Sequence, residues 1–282
     1  NAAFDETLPT NYLADEVIDD NKVDALLAKK YDETIVIAED DPEILAYLKD
    51  ELSTNFRVIA VNNGYDAVKA VMDNEVSLIL SDVLMPALNG FQLCSNIKSN
   101  IATCHIPIVL LTALSDDNQR IYGIAEGADE YIHKPFNMQY VRLKIIRIIE
   151  ERRRLADTFA QKFGRLTRHE AANLPCVDDV FRDKLFDLIE AQHSDSNFKI
   201  ELMSDMLGMS RILLYRKITS IFGMSPSDLL RNFRLQKAVQ LLTDQRRNVS
   251  EVAYTVGFSS PAYFAKCFKS VYNMTPTEYM YR

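Results

Sequence analysis

Thr34-Ile35-Val36-Ile37-Ala38-Glu39-Asp40-Asp41 is the stretch that decides the fold of the first half of this chain. A short apolar burst rich in β-branched side chains ends abruptly in three consecutive carboxylates. That is the pattern of a strand buried on both faces whose carboxyl end opens on a polar edge. Working outward, similar bursts recur at Arg57–Val61, Leu78–Ser81, Ile108–Leu111 and Glu130–Ile132, with amphipathic stretches between them. Five such βα repeats predict a parallel sheet covered by helices. In a sheet of that kind the residues that follow the strands converge at one edge, where the strand order switches. Glu39, Asp40 and Asp41 follow the first strand, Asp82 the third, Thr112 ends the fourth and Lys134 comes just after the fifth.

Composition narrows the rest. The chain has 282 residues, 48% hydrophobic and 26% charged, which is globular composition at about twice the commonest domain size. The longest uncharged run, Ser99 to Ser115, is interrupted by Asn100, Thr103 and His105, and falls short of the roughly 18 apolar residues that span a bilayer. No membrane contact is expected, and the chain reads as cytoplasmic. Cys94, Cys104, Cys176 and Cys267 lie far apart with no CxxC, and the four histidines form no HExxH-type pair, so neither a disulfide framework nor a zinc site is expected. Asn1 is not an initiator methionine and no signal peptide follows it, so the chain is expected to be part of a larger parent.

The net charge of -8 hides an asymmetry. Residues 1–150 carry 25 acidic and 12 basic side chains, residues 151–282 only 15 acidic against 20 basic. An acidic first half and a basic second half point to nucleic-acid contact confined to the second. Residues 1–32 read as an acidic linker holding at most one short helix. The helix that begins near Asn137 has no Gly or Pro before Gly164, and Val141, Ile145, Ile148, Leu155 and Phe159 follow 4-3 spacing. It would either continue outward as a connector or dimer seam, or end near Arg152 and leave residues 153–176 as a linker. From Val177 onward the pattern is helical throughout. There Leu207-Gly208-Met209-Ser210 recurs as Val256-Gly257-Phe258-Ser259 at an offset of 49, and Met224-Ser225-Pro226 as Met274-Thr275-Pro276 at 50. The repeat implies two copies of one small helical module.

Carboxylates gathered at a strand edge repel one another unless a cation sits among them. A hard ion such as magnesium suits that set. Thr112 and Lys134 would add a hydroxyl and an ammonium, and together the groups can hold phosphoryl oxygens around a nucleophilic carboxylate. Taken singly, the acidic run could merely favour the N-terminus of the next helix, and Asp82 could be a turn residue. A haloacid-dehalogenase-type phosphatase also uses an aspartyl nucleophile, but it requires a second Asp two positions on, where this chain has Leu84.

Residues 33–152 resemble bacterial response-regulator receiver domains through Ile37-Ala38-Glu39-Asp40-Asp41, Ser81-Asp82-Val83-Leu84-Met85-Pro86 with Asn89-Gly90, Leu111-Thr112-Ala113, and Gly127-Ala128-Asp129-Glu130-Tyr131-Ile132-His133-Lys134-Pro135-Phe136. The resemblance implies Asp82 as phosphoacceptor, with Mg2+ held by Glu39, Asp40, Asp82 and the backbone carbonyl of Leu84. It further implies that Thr112 hydrogen-bonds and Lys134 ion-pairs with the phosphoryl group. Tyr131 would be the aromatic switch moving with Thr112, the surface around the fourth and fifth helices would change in response, and Lys134-Pro135 would be cis.

The second half has helix-turn-helix grammar twice, with Ser210 placed to cap one second helix and Gly257 at the other turn. Arg211, Arg216 and Lys217 read as a basic face opposite apolar Ile212, Leu214 and Ile218. Residues 177–282 resemble AraC/XylS-type DNA-binding domains through Met209-Ser210-Arg211, Leu214-Tyr215-Arg216-Lys217, Gly223-Met224-Ser225-Pro226, Val252-Ala253, Val256-Gly257-Phe258-Ser259, Tyr263-Phe264, Cys267-Phe268-Lys269 and Thr275-Pro276. Recognition helices at about Ser210–Ile221 and Ser260–Val271 would enter successive major grooves of double-stranded DNA. Ser210, Arg211, Leu213, Lys217, Ser260, Ala262, Tyr263 and Lys266 are the groove-facing candidates, and Arg216 and Lys269 the phosphate contacts. Tyr215, Phe264 and Phe268 are expected in the core. Ile212 and Leu213 depart from the polar residues usual in the family, and Leu213 is expected either to meet a thymine methyl or to pack.

The expected architecture is therefore a doubly wound α/β receiver, a flavodoxin-like five-stranded parallel sheet in the order 2-1-3-4-5, followed by an all-α domain with two helix-turn-helix motifs. The implied function is a phosphorylation-controlled transcription regulator that is not itself an enzyme. Its implied partners are a histidine kinase phosphodonor, a second copy of the chain when active, and RNA polymerase. The arrangement resembles the C-terminal part of hybrid two-component sensors of Bacteroides-like bacteria, whose parent chain includes the kinase and is anchored in the inner membrane. A stand-alone regulator with a separate kinase, and a phosphorylation-silent receiver serving only dimerisation, are the alternatives.

Overall fold

The computed structural model describes residues 20–113, 127–163, 176–243 and 248–281. The chain divides into two compact units, Asn1–Glu151 and Arg152–Arg282. The first carries β1 (Thr34–Ala38), β2 (Arg57–Val61), β3 (Leu78–Asp82), β4 (Ile108–Thr112) and β5 (Glu130–His133). They form one five-stranded sheet, every pairing parallel, in the order β2-β1-β3-β4-β5. β1, β3 and β4 are buried almost throughout and mostly apolar, because both of their faces are covered. Alternate residues point to opposite sides. Ile35, Ile37, Leu78, Leu80, Val109 and Leu111 pack beneath α2 (Pro42–Ser53) and α5 (Met138–Phe163). Val36, Ala38, Ile79, Ile108 and Leu110 pack beneath α3 (Gly64–Asp73) and α4 (Gly90–Ser99). The expected helix between β4 and β5, and with it part of the switch surface, lies outside the described residues.

Local chemistry starts each helix. Asp41 caps α2, its carboxylate accepting from the amides of Glu43 (2.8 Å) and Ile44 (3.1 Å), with Pro42 in the first turn. Asn89 and Gln92 form a capping box at the start of α4. The short helix allowed within residues 1–32 is α1 (Asp20–Ala28). It is docked rather than loose, because Leu26 and Leu27 pack on the sheet's core. The Asn55 amide donates to the carbonyls of Leu27 (2.8 Å) and Lys29 (2.7 Å), which ties the segment down.

Helix α5 is a single element that passes through the boundary between the units. Its first half supplies Val141, Ile145, Ile146 and Ile149 to the receiver core. Near its end, Phe159 and Phe163 are buried in the second unit, where Phe159 lies 4.7 Å from Phe222 and Phe163 lies 5.5 Å from Phe186, ring centre to ring centre. Of the expectations for this stretch, the helix does continue past Arg152 as a connector would, while an end near Arg152 and a seam at Phe159 are corrected. The helix does not stop near Arg152, and Phe159 fills the chain's own core rather than lining a dimer seam. Only part of the expected 153–176 linker is described, and the described part is helix.

The second unit continues with α6 (Asp179–Gln192), α7 (Ile200–Met206), α8 (Arg211–Phe222), α9 (Pro226–Thr243), α10 (Val249–Thr255), α11 (Pro261–Tyr272) and α12 (Pro276–Met280). The sequence repeat is a structural repeat. Pairs α7–α8 and α10–α11 each turn at a glycine with positive φ, Gly208 at 68° and Gly257 at 88°. Ser210 and Ser260 each accept from the amide three residues on, and so cap the second helix of each pair. Gly223 and Asn273 end those helices in the left-handed conformation. The second pair has its own core of Leu235, Leu242, Val252, Phe258, Phe264 and Phe268.

Candidate functional site

The carboxyl edge of the sheet gathers the predicted acidic residues. Ligand oxygens of Glu39, Asp40 and Asp82 all lie within 4.8 Å of one another. Lys134 reaches across from the end of β5, its Nζ 2.9 Å from Glu39 Oε2 and 2.9 Å from Asp82 Oδ2. Three carboxylates facing one ammonium leave an excess of two negative charges, which matches a divalent cation with oxygen preference. The donor set therefore fits a hard metal ion. Asp41 is not part of it: its carboxylate is committed to the α2 cap, so the reading of the acidic run as a helix start holds for that residue.

Electrostatics follow from burial. Burial lifts the Glu39 carboxyl above its ordinary range and the charge of Asp82 adds to this, while the hydrogen bond from Lys134 opposes it. Burial alone would depress the Lys134 ammonium, but its bonds to Glu39 and Asp82 outweigh that and hold it above the usual lysine value. Asp82 is oriented from its own backbone side, Oδ1 accepting from the Val83 amide at 2.7 Å. A methyl group at position 90 would sit 2.3 Å from the Asp82 carbonyl oxygen, so only glycine lets the start of α4 pass behind this residue. Thr112 is buried at the end of β4, beside the register pair Asp82–Leu111. Tyr131 on β5 is half-buried against the α3–α4 side of the core, with its hydroxyl oxygen buried. Lys134-Pro135 is cis. Leu84, whose carbonyl is the fourth expected ligand, has an exposed side chain.

In the second unit the candidates separate by burial. Arg211 on α8 and Ala262, Tyr263, Lys266 and Lys269 on α11 are exposed, while Leu213 and Arg216 are half-buried. The Arg211 guanidinium lies 3.3 Å from Glu201 of α7. Lys217 is corrected outright. It is 0% exposed, its Nζ sits 2.6 Å from Asp178 Oδ2 and 4.4 Å above the centre of the Phe181 ring, and it cannot face a groove. Ile212 and Tyr215 are corrected in the other direction, at 64% and 51% exposure on the outer face of α8.

A family model for the response regulator receiver domain matches residues 35–146, and one for a helix-turn-helix domain matches residues 203–282. The chain carries a response regulator receiver domain followed by an AraC-type helix-turn-helix domain. Over 277 residues, 98% of its length, the chain is 38% identical to Histidine kinase P4 of Formosa agariphila, and it spans 20% of that protein. Among solved structures it is similar to the signal receiver domain of a signal transduction histidine kinase from Syntrophus aciditrophicus (34% identity, 42% of this chain and 91% of that one, TM-score 0.41). It is also similar to the C-terminal domain of the two-component response regulator yesN from Fusobacterium nucleatum (31% identity, 35% and 96%, TM-score 0.34).

The chain's own repeat holds the signal that would have placed Lys217 and Tyr215 correctly. At an offset of 50, Lys217 aligns with Cys267 and Ile218 with Phe268, and all four are buried. Tyr215 aligns with Ala265, and Ile212 with exposed Ala262, both small residues that do not demand a core. Charge and hydrophobicity read singly at each position conceal that equivalence.

Proposed function

We propose that this chain is a phosphorylation-controlled, sequence-specific DNA-binding transcription regulator in which Asp82 accepts the phosphoryl group of a phosphohistidine. The observation that carries the reading is the convergence of Asp82, Glu39 and Asp40 within 4.8 Å, with the Lys134 ammonium 2.9 Å from Asp82. An Asp82 carboxylate oxygen attacks phosphorus in line. The bond between phosphorus and the donor imidazole nitrogen breaks, and that nitrogen keeps the electron pair. Mg2+, held by Glu39, Asp40, Asp82 and the Leu84 carbonyl, would neutralise charge on the phosphoryl oxygens. Lys134 turns from Asp82 toward a phosphoryl oxygen, and the Thr112 hydroxyl donates to another. Thr112 and Tyr131 then shift, biasing a two-state surface. Dimerisation follows, raising avidity for DNA without new base contacts. In this reading RNA polymerase is the downstream partner and the site of action is the cytoplasm. The kinase belongs to the same polypeptide, a reading supported by the similarity along nearly the whole chain to one fifth of a histidine kinase.

The test is incubation of the full chain with phosphoramidate and Mg2+, followed by intact-mass measurement. Wild type should gain one phosphoryl group that hydroxylamine removes, and Asp82→Asn none. An adduct of equal yield on Asp82→Asn, or none on wild type, would sink the assignment.

A further inference from the structure

The outer face of α8 presents an apolar stripe where a basic one was expected. Ile212 and Tyr215, three residues apart and so adjacent on one helical face, are 64% and 51% exposed. Lys217 is withdrawn into the interior by Asp178, Arg216 is half-buried, and Arg211 is held beside Glu201. The equivalent positions on α11 are Ala262 and Ala265, with exposed Lys266 and Lys269 alongside. The two copies of one module therefore differ at these two positions, Ile212 and Tyr215 on α8 against Ala262 and Ala265 on α11, where the exposed side chains are Tyr263, Lys266 and Lys269. Exposed isoleucine and tyrosine side by side form a contiguous apolar patch on the surface of this helix, the kind of feature that marks a contact site.

In the major groove the apolar feature that distinguishes one base pair from another is the thymine C5 methyl group. The unit that carries this stripe is the basic one, with 20 basic against 15 acidic side chains in residues 151–282. We infer that Ile212 and Tyr215 read thymine methyl groups, so that the first helix-turn-helix selects a thymine-bearing half-site by apolar contact while the second reads its half-site through Tyr263 and Lys266. The inference rests on the DNA-binding reading proposed above and names the base chemistry it uses.

The experiment selects bound duplexes from a random library with the full chain. It then replaces each thymine of the enriched site by uracil, which lacks only the methyl group, and measures affinity for wild type, Ile212→Ala and Tyr215→Ala. Both side chains are exposed, so the variants should fold, which circular dichroism checks. The expected result is a roughly fourfold loss per methyl at particular thymines of one half-site in wild type, the worth of one buried methylene-sized group. That loss should vanish at the thymine facing residue 212 in Ile212→Ala, and at the one facing residue 215 in Tyr215→Ala. An enriched site whose binding ignores uracil, or loses the same factor in wild type and both variants, overturns the inference and leaves DNA binding standing. No enriched site at all overturns the DNA-binding reading and the inference with it.

Discussion

The ammonium of Lys217 lies 2.6 Å from the Asp178 carboxylate, and Lys217 is wholly enclosed. Asp178 has a second task. Its Oδ1 accepts from the Phe181 amide at 2.9 Å and caps α6, so one carboxylate fixes the start of α6 and neutralises a charge buried on α8. Removing one partner of a buried pair strands the other without solvation. Lys217→Ala is therefore expected to destabilise the second unit by about 3–5 kcal/mol in a chemical melt. Lys217→Met combined with Asp178→Asn should recover most of that, because Asn still caps and no charge is stranded. A Lys217→Ala protein as stable as wild type but weak on DNA would return Lys217 to the groove.

Gly90 stands against the backbone of the phosphoacceptor, where an added methyl group would come within 2.3 Å of the Asp82 carbonyl oxygen. Gly90→Ala should cost about 1–3 kcal/mol of receiver stability through overpacking. Because the displaced backbone carries Asp82, it should also lower the yield of the phosphoramidate adduct. Unchanged yield alongside lowered stability would show that β3 absorbs the strain without moving the carboxylate.

The two turn glycines make a matched pair. Gly208 and Gly257 both have positive φ, 68° and 88°, but a methyl group at 208 would meet no atom within 4 Å. At 257 it would lie 2.1 Å from the His193 carbonyl oxygen and 2.9 Å from Arg234 Nε. Arg234 itself donates to the carbonyls of His193 (2.8 Å) and Asp195 (2.7 Å), so neither neighbour can retreat freely. Gly208→Ala is expected to cost about 1–2 kcal/mol, the left-handed penalty alone, and Gly257→Ala a further ~1–3 kcal/mol. Calorimetry on both variants checks the order, and equal losses would refute the crowding argument.

Much of the fold was legible because its signals are local. Five apolar bursts with helical stretches between them require a parallel sheet, and the 49- and 50-residue offsets require two like modules, whatever surrounds them. The acidic site was legible for the same reason: Glu39, Asp40, Asp82, Thr112 and Lys134 each sit at a strand end, and parallel strands bring their ends to one edge. The DNA-facing candidates on α8 were less legible. A helical face is buried or exposed according to what packs on it, and for Lys217 that partner is 39 positions away in sequence.

The sequence by itself determined the strand and helix order, the acidic edge and the duplicated turns, all of which follow from periodicity and from backbone demands at single positions. Tertiary structure alone decided that Asp41 caps while Asp40 joins the acidic cluster, and that Phe159 and Phe163 belong to the second unit's core. It also decided that Lys217 is buried while Ile212 and Tyr215 face outward. These outcomes depend on which side chains meet across long separations, where burial, charge pairing and available volume are settled together.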